Sequence, residues 1–300
     1  MPELPEVETV RASLARDLVG KKIKTVAVTN GRLVRRHKTA KDFRTMLEGH
    51  SIKSAQRLGK NLVFGLENGT HLVVHLGMTG QLLRAKGPKD PKPKHTHVVF
   101  TFVQGGELRY VDSRTFGELY VSKPPAEGAE VEISKFARLS IGGDGLALRK
   151  AVPELAHLGI DPFEDQIGWD RFAAILRSRS TGLKVVLTDQ DIIAGIGNIY
   201  SDEILFAAGL RFDRESESLS TIEIRRLHRA ISEILTEAIK HGGSTLDDEQ
   251  FVDPDGNPGS YQQLHQVYNR EGLPCLQCRT TILRDTVRGR PTFYCPKCQS

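Results

Sequence analysis

The chain has 300 residues, 39% of them hydrophobic and 6% aromatic, and a formal net charge of +5 at pH 7. This length is enough for two domains and a short additional segment. No run approaches the roughly 20 apolar residues that a membrane helix needs, and no targeting segment is visible. We therefore expect a cytoplasmic protein. The modest positive charge is compatible with a polyanionic partner but does not identify one.

The first half of the chain is predicted to be rich in β-strands and to begin with one helix. Pro5 suits a first helical turn, acidic residues follow it, and the helical apolar spacing ends at Gly20. Turn sequences such as Gln104–Gly106 then separate short apolar runs that are typical of strands. The predicted strands are Ile23–Val28, Asn61–Leu66, His71–Leu76, His97–Val103 and Glu107–Val111. This pattern favours a two-sheet sandwich or a barrel.

The second half of the chain is predicted to be helical. Ser220 and Glu223 form a capping-box sequence, and apolar residues then follow at helical spacing until Gly242. A shorter helix is predicted over Tyr200–Ala208. The stretch 123–160 is rich in glycine, proline and charge, as expected of a connection between domains. We predict three domains, at residues 1–150, 151–270 and 271–300.

The last 26 residues contain all four cysteines of the chain. They form two CxxC pairs separated by 16 residues, which is typical of a structural zinc site with four thiolate ligands. Two disulfides are the alternative, although nothing in the sequence suggests secretion. The predicted zinc ligands are Cys275, Cys278, Cys295 and Cys298. The same segment has five basic residues and one acidic residue, which points towards a phosphate backbone.

The N-terminus offers a second chemical signal. Removal of Met1 would leave a secondary amine at Pro2, next to the carboxylate of Glu3. An α-amine has a pKa of about 7.7–8.0, compared with about 10.4 for lysine, so a larger fraction is neutral and able to attack an aldehydic carbon. Glu3 and Glu6 could transfer the protons. The alternative is that these residues only begin a helix.

Five motifs support the catalytic interpretation. In chain order they are Met1–Arg11 (MPELPEVETVR), Leu76–Gly80 (LGMTG), Asp112–Gly117 (DSRTFG), Gly195–Glu203 (GIGNIYSDE) and Thr292–Cys298 (TFYCPKC). Together they closely resemble the bacterial formamidopyrimidine-DNA glycosylases, also called Fpg or MutM, from the first residue to the last. The resemblance implies an α+β multidomain fold. Its parts are an N-terminal β-sandwich with a leading helix, a helix–two-turn–helix domain and a C-terminal zinc ribbon.

The resemblance implies a bifunctional DNA repair enzyme. It would excise oxidised purines, chiefly 8-oxoguanine and formamidopyrimidines, and cleave the strand by β,δ-elimination. Pro2 would attack C1′ of the damaged nucleotide, Glu3 would be the acid/base and Lys60 the essential amine beside them. We group Glu6 and Glu203 with these catalytic residues, Glu203 because it matches a family carboxylate that supports the active site.

The resemblance also implies how DNA is held. The damaged base must leave the stack, and a wedge of three side chains would fill the hole, which we call the wedge residues: Met78, Arg114 and Phe116. The phosphate contacts implied are Lys184, Asn198 and Arg290. We expect double-stranded DNA in a cleft between the two halves of the protein, one structural Zn²⁺ as the cofactor, a monomer, and a location in the cytoplasm at the nucleoid.

Two other functions remain open. A non-catalytic DNA-binding protein is one, although binding alone would require neither Pro2 nor Lys60. An endonuclease VIII-like enzyme for oxidised pyrimidines is the other, and Leu4, where that branch has glycine, disfavours it. The acidic run Asp247–Gln250 departs from the family pattern in the loop expected to close over the damaged base, so the preferred lesion is less clear than the chemistry.

Overall fold

The computed structural model describes residues 1–246 and 251–300, which form two compact units. The first unit contains residues 1–131, 150–154 and 241–262, and the second contains residues 132–149, 155–240 and 263–300. This division differs from the three predicted domains, whose limits remain a prediction. Across the described ranges, no helix is both long and apolar enough to cross a membrane.

The first unit begins with a helix and continues with two four-stranded sheets. Its helices are α1 (Leu4–Leu18) and α2 (Ala40–Thr45). Its strands are β1 (Ile23–Val28), β2 (Ile52–Leu58), β3 (Asn61–Leu66), β4 (His71–His75), β5 (Gly80–Ala85), β6 (Thr96–Phe102), β7 (Glu107–Asp112) and β8 (Glu118–Ser122). One sheet has the order β1-β6-β7-β5 and the other β2-β3-β4-β8. Neighbouring strands within both sheets are antiparallel.

A single hydrophobic core joins α1 and both sheets. Val7, Val10 and Leu14 follow helical spacing, and all three are buried in the same cluster as Phe64 of β3 and Phe100 of β6. The helix contacts β2 and β3. The predicted sandwich with a leading helix is therefore confirmed, and α1 is fixed against the two strands that carry Lys60 in their connecting turn.

The second unit is mainly helical. Its helices are α4 (Trp169–Arg177), α5 (Leu183–Thr188), α6 (Asn198–Ala208) and α7 (Thr221–Lys240), while the short α3 (Gly145–Ala151) contains residues of both units. The predicted capping box before α7 is present, since Ser220 and Glu223 bond reciprocally. Helix α6 ends at Gly209, which has a left-handed backbone.

The C-terminal ribbon is a hairpin of β9 (Leu283–Val287) and β10 (Arg290–Tyr294). Its two-residue turn, Arg288 and Gly289, has positive φ at both positions, as a tight hairpin requires. Phe293 and the buried cysteines pack with Phe206 of α6 in one small cluster. The ribbon is thereby attached to the helix that begins at Asn198.

Candidate active site

The N-terminal residues are buried at the start of α1. Pro2 is buried and Glu3 is 2% exposed. Glu6 accepts a hydrogen bond from the Glu3 backbone N–H at 2.8 Å through Oε2 and one from Ser244 at 2.7 Å through Oε1. Glu6 therefore holds the N-terminal backbone in place, and Glu3 is the carboxylate nearest to Pro2 in the chain.

Lys60 lies in the turn between β2 and β3 and is 7% exposed. The next residue, Asn61, pairs with His75 across the sheet. Burial, and then the charge of Lys60, lower the pKa of His75 to about 4. The imidazole is therefore neutral at neutral pH, and its Nδ1 accepts a bond from Gly77 N–H at 3.1 Å. No motif in the sequence marks His75 as a site residue; the antiparallel pairing of β3 with β4 is the signal that places it near Lys60.

The three wedge residues lie on two adjacent loops of the first unit. Met78 is 38% exposed and Phe116 is 46% exposed. The Arg114 guanidinium lies over the Phe116 ring at 4.8 Å from its centroid. Thr115 between them has a φ of 53°. These side chains are presented to solvent rather than packed in the core.

The two loops are locked together behind the wedge. Asp112 is fully buried and accepts bonds from the Thr79 hydroxyl at 2.5 Å, from Arg114 N–H at 3.2 Å and from Gly117 N–H at 2.9 Å. A Cβ at Gly77 would lie 2.6 Å from the Gly117 nitrogen, so only glycine permits this approach. The exposed wedge thus stands on a rigid base.

The predicted GxGN turn begins α6 in the second unit. Gln190 shapes it, because its side chain accepts a bond from Gly195 N–H and donates one to the Ile196 carbonyl. Within the part of the chain that the structure describes, Asn198 Oδ1 is buried without a hydrogen-bond partner. A glycine-rich turn that begins a helix is a common phosphate site.

Glu203 and Lys184 are buried deep in the second unit. Glu203 accepts bonds from three successive backbone N–H groups, those of Gln266, Val267 and Tyr268, at 2.8–3.0 Å. Burial raises the pKa of this carboxyl group. Glu203 therefore holds the segment that leads into the ribbon. Its role in the structure is to position that segment.

Lys184 is 1% exposed, and its ammonium bonds to Asp202 at 2.6 Å and to the Pro291 carbonyl at 3.3 Å. Asp202 also accepts bonds from Thr292 and Phe293 of β10. Burial raises the pKa of Asp202 to about 6, against the opposing effect of the Lys184 charge. This geometry favours a structural role for Lys184 over the predicted phosphate contact. Arg290, by contrast, is exposed at the start of β10.

The four cysteines converge on one point. Their sulfur atoms lie within 4.8 Å of one another, with Sγ–Sγ distances of 3.9 Å for Cys275–Cys298 and 3.4 Å for Cys278–Cys295. Disulfides are excluded, because all four are free. Sulfurs bound tetrahedrally at about 2.3 Å from zinc lie roughly 3.8 Å apart, so the set fits one Zn²⁺. The site is a structural zinc site, since four thiolates leave no position for a substrate.

The predicted site residues therefore form two groups, one in each unit. The first unit contains the N-terminus, Lys60 and the wedge. The second unit contains the GxGN turn, Lys184, Glu203, the zinc ligands and Arg290. The predicted lid at Asp247–Gln250 lies outside the described residues.

Three family models match the chain in order. They are the formamidopyrimidine-DNA glycosylase N-terminal domain over residues 1–119, the formamidopyrimidine-DNA glycosylase H2TH domain over 158–250, and the zinc finger found in FPG and IleRS over 272–300. Among curated relatives, the formamidopyrimidine-DNA glycosylase of Pelotomaculum thermopropionicum is 39% identical and covers 100% of this chain and 99% of its own. That of Bacillus cereus is 38% identical with the same coverage.

Solved structures show the same similarity over the whole chain. MutM from Thermus thermophilus is 37% identical with a TM-score of 0.81, over 99% of this chain and 98% of that one. Lactococcus lactis Fpg in complex with DNA containing an abasic site is 34% identical with a TM-score of 0.81, over 99% of both chains. MutM in complex with DNA containing carbocyclic 8-oxo-G is 33% identical with a TM-score of 0.82, over 100% of both.

Proposed function

Because the chain belongs to the formamidopyrimidine-DNA glycosylase family, we propose that it excises oxidised purines from DNA and cleaves the strand at the resulting abasic site. The observation that carries this proposal is the buried N-terminal Pro2–Glu3 pair at the start of a helix that packs against the two strands flanking Lys60. A protein that only binds DNA would require neither Pro2 nor Lys60.

In the proposed reaction, the Pro2 amine is the nucleophile. Once Met1 has been removed, its nitrogen attacks C1′ of the damaged nucleotide, the bond to the base breaks, and an iminium links the enzyme to the sugar. The covalent intermediate then acidifies the neighbouring sugar carbon, so that the 3′ and then the 5′ phosphate can be eliminated. An α-amine suits this task because about a tenth of it is neutral near pH 7.

Glu3 and Lys60 have complementary roles in this proposal. Glu3 transfers the protons that ring opening and elimination require. Lys60 supplies the cation beside the reacting sugar, since the neighbouring His75 is neutral at neutral pH. Glu6 acts through position rather than by proton transfer, because both of its carboxylate oxygens accept backbone N–H groups.

The wedge residues support base extrusion. Exposed Met78 and Phe116 provide apolar surface that can fill the space left by an extruded base. Arg114 provides a guanidinium that can bond to the base on the opposite strand. The buried Asp112 holds together the two loops that carry the wedge residues. This supports the proposal, because side chains that enter the base stack must keep their positions.

The second unit supports DNA binding in the proposal. Asn198 at the GxGN turn and Arg290 on the hairpin would contact phosphates, while the zinc site holds the hairpin in shape. We propose that the functional domains are residues 1–150, 151–270 and 271–300. We also propose that the protein is a monomer, that it acts on duplex DNA containing oxidised bases, and that it is located at the nucleoid.

Reductive trapping tests the proposal directly. The protein, with loss of Met1 verified by mass spectrometry, is mixed with an 8-oxoguanine:cytosine duplex and sodium borohydride. We expect a covalent complex in which peptide mapping locates the DNA on Pro2. A matched control with extra residues before Pro2 has no amine there and should form no adduct, although it still binds the duplex.

The alternative outcomes discriminate between the other functions. An adduct with a thymine glycol duplex in preference to 8-oxoguanine would indicate the endonuclease VIII-like specificity. An adduct with an abasic-site duplex alone would support the lyase and refute the proposed lesion. No adduct with any duplex, despite binding, would indicate a non-catalytic DNA-binding protein.

A further inference from the structure

One arginine in the first unit is buried completely next to the turn that carries Lys60. Arg57 of β2 is 0% exposed. Its Nε donates to Glu8 Oε2 at 3.2 Å, and one of its terminal nitrogens donates to the Gly59 carbonyl at 2.9 Å. A guanidinium removed from water in this way is costly unless its donors are paired with good geometry.

The partner of Arg57 lies on the helix that carries the N-terminus. Glu8 of α1 is 4% exposed and is shared by Arg57 and Arg11. Arg11 also donates to the Ala55 carbonyl of β2 at 3.4 Å. We call Glu8, Arg11 and Arg57 the Glu8 cluster. It ties α1 to β2 by charged contacts, in addition to the apolar packing between them.

The other end of the cluster holds the peptide bond before Lys60. Gly59 has a φ of 57°, a left-handed conformation that leaves its carbonyl available to the Arg57 side chain. That carbonyl belongs to the peptide unit whose nitrogen is that of Lys60. Fixing the carbonyl therefore fixes the orientation in which the backbone enters Lys60.

We propose that Arg57 is a positioning residue that sets Lys60 against the N-terminal Pro2 and Glu3, through Glu8 on one side and the Gly59 carbonyl on the other. The inference rests on the proposed function. Apolar residues of similar volume commonly stabilise a core as well as a buried ion pair does, so stability alone gives little reason for this one. What apolar residues cannot do is fix a helix and a turn carbonyl with one planar group.

The test uses Arg57→Lys, which keeps the charge beside Glu8 but cannot hold both partners as the rigid guanidinium does. Single-turnover excision of 8-oxoguanine should fall about 10–100-fold, since a misplacement of about 1 Å can have an effect of this size. Arg109→Lys is the matched control. Arg109 is 2% exposed, pairs with Glu107, and donates to the carbonyls of Gly87 and Pro91, which lie in a different loop. We expect it to change the rate less than about threefold.

A double-mutant cycle separates positioning from a general effect on the fold. In a Lys60→Arg background the Lys60 amine is replaced by a guanidinium, so there is no amine left to position. Adding Arg57→Lys should then change the rate by less than about threefold. An equal loss in both backgrounds, or an equal loss for Arg57→Lys and Arg109→Lys, would overturn the inference. If the unaltered protein itself forms no borohydride adduct, the proposed function fails instead, so the two failures are distinguishable.

Discussion

His75 shows how one side chain connects the stability of the first unit to its chemistry. Burial and the charge of Lys60 lower its pKa to about 4, while an unfolded chain would have a pKa near 6.5. The histidine is therefore neutral in the folded protein at neutral pH. Lys60 is one of the charged groups that act on this histidine, together with Arg35 and Arg36.

The lowered pKa predicts a pH dependence of unfolding. Between about pH 6.5 and pH 4 the unfolded chain binds a proton at this residue that the folded chain does not, so the free energy of unfolding falls as pH falls through that range. The loss should reach about 3 kcal/mol for His75. His265 of the second unit, whose pKa burial also lowers to about 4, should behave alike.

Denaturant unfolding between pH 4 and 7.5, with His75→Gln and His265→Gln beside the unaltered chain, measures this effect. In each variant the free energy of unfolding should depend less on pH, by the contribution of the histidine that was replaced. All proteins are compared at the same ionic strength. A direct NMR titration of the His75 ring should show no protonation above about pH 5. A ring that titrates near 6.5 would contradict the prediction.

At the scale of elements, the buried Lys184–Asp202 pair joins α5 and α6 to the ribbon hairpin. Its contacts with Pro291, Thr292 and Phe293 begin one residue after the exposed Arg290. The pair therefore fixes the strand that presents Arg290. A lysine in a DNA-binding unit is normally read as a phosphate ligand, and its burial here depends on an aspartate 18 residues away in the chain.

Lys184→Met tests these two roles against each other. Removal of one partner leaves Asp202 buried without its cation, so we expect the second unit to lose about 3–5 kcal/mol of stability. DNA affinity should weaken because the hairpin loosens, but its salt dependence should stay unchanged. Arg290→Ala should do the reverse, with near-normal stability and a salt slope reduced by about 0.9. A stable Lys184→Met protein with a reduced slope would establish the phosphate contact instead.

The strands show which elements can be predicted from a single sequence. The bounds of β1 and β3 were predicted correctly, because turn residues such as Asn68 and Gly69 limit compact apolar runs. Strands β2, β5 and β8 were missed. In β2 charged and polar residues interrupt the apolar ones. One of them, Arg57, is nevertheless buried, because it pairs with Glu8. Whether such a segment forms a strand depends on pairing with residues distant in the chain, and local composition carries no information about that pairing.

The candidate site likewise has features that the sequence predicts and contacts that only the folded structure shows. The zinc ligands follow from spacing alone, and the positions of the wedge residues follow from a family resemblance. The sequence did not reveal that Glu6 and Glu203 bind backbone N–H groups, or that Glu8 and Arg57 are paired. Those contacts join residues 238, 63 and 49 positions apart, so only the folded chain brings them together.

At the scale of the whole molecule, the zinc site supports one small hydrophobic cluster. Loss of the zinc should therefore disturb only a small part of the structure. Among the residues that the structure describes, six buried ones form the cluster, including Phe206, Phe293 and two of the cysteines. So little buried apolar surface contributes little to the folding of the ribbon, so we expect its hairpin to depend on the metal as well as on the Lys184–Asp202 contacts. The core of the first unit, with α1 and both sheets, has its own large apolar cluster.

Metal removal should therefore act on one part of the molecule. We expect about one zinc per chain by elemental analysis, released by a strong chelator or on unfolding. The released form should lose hydrogen-exchange protection in β9, β10 and the C-terminal end of α6, where Phe206 contacts the ribbon. It should keep protection in β3, β4 and β7, and bind DNA far more weakly. Cys278→Ser should reproduce this state without a chelator, and Ser218→Ala, a change of an exposed hydroxyl in the same unit, should retain zinc and DNA affinity. Full protection of the hairpin in zinc-free protein would contradict the role of zinc in its folding.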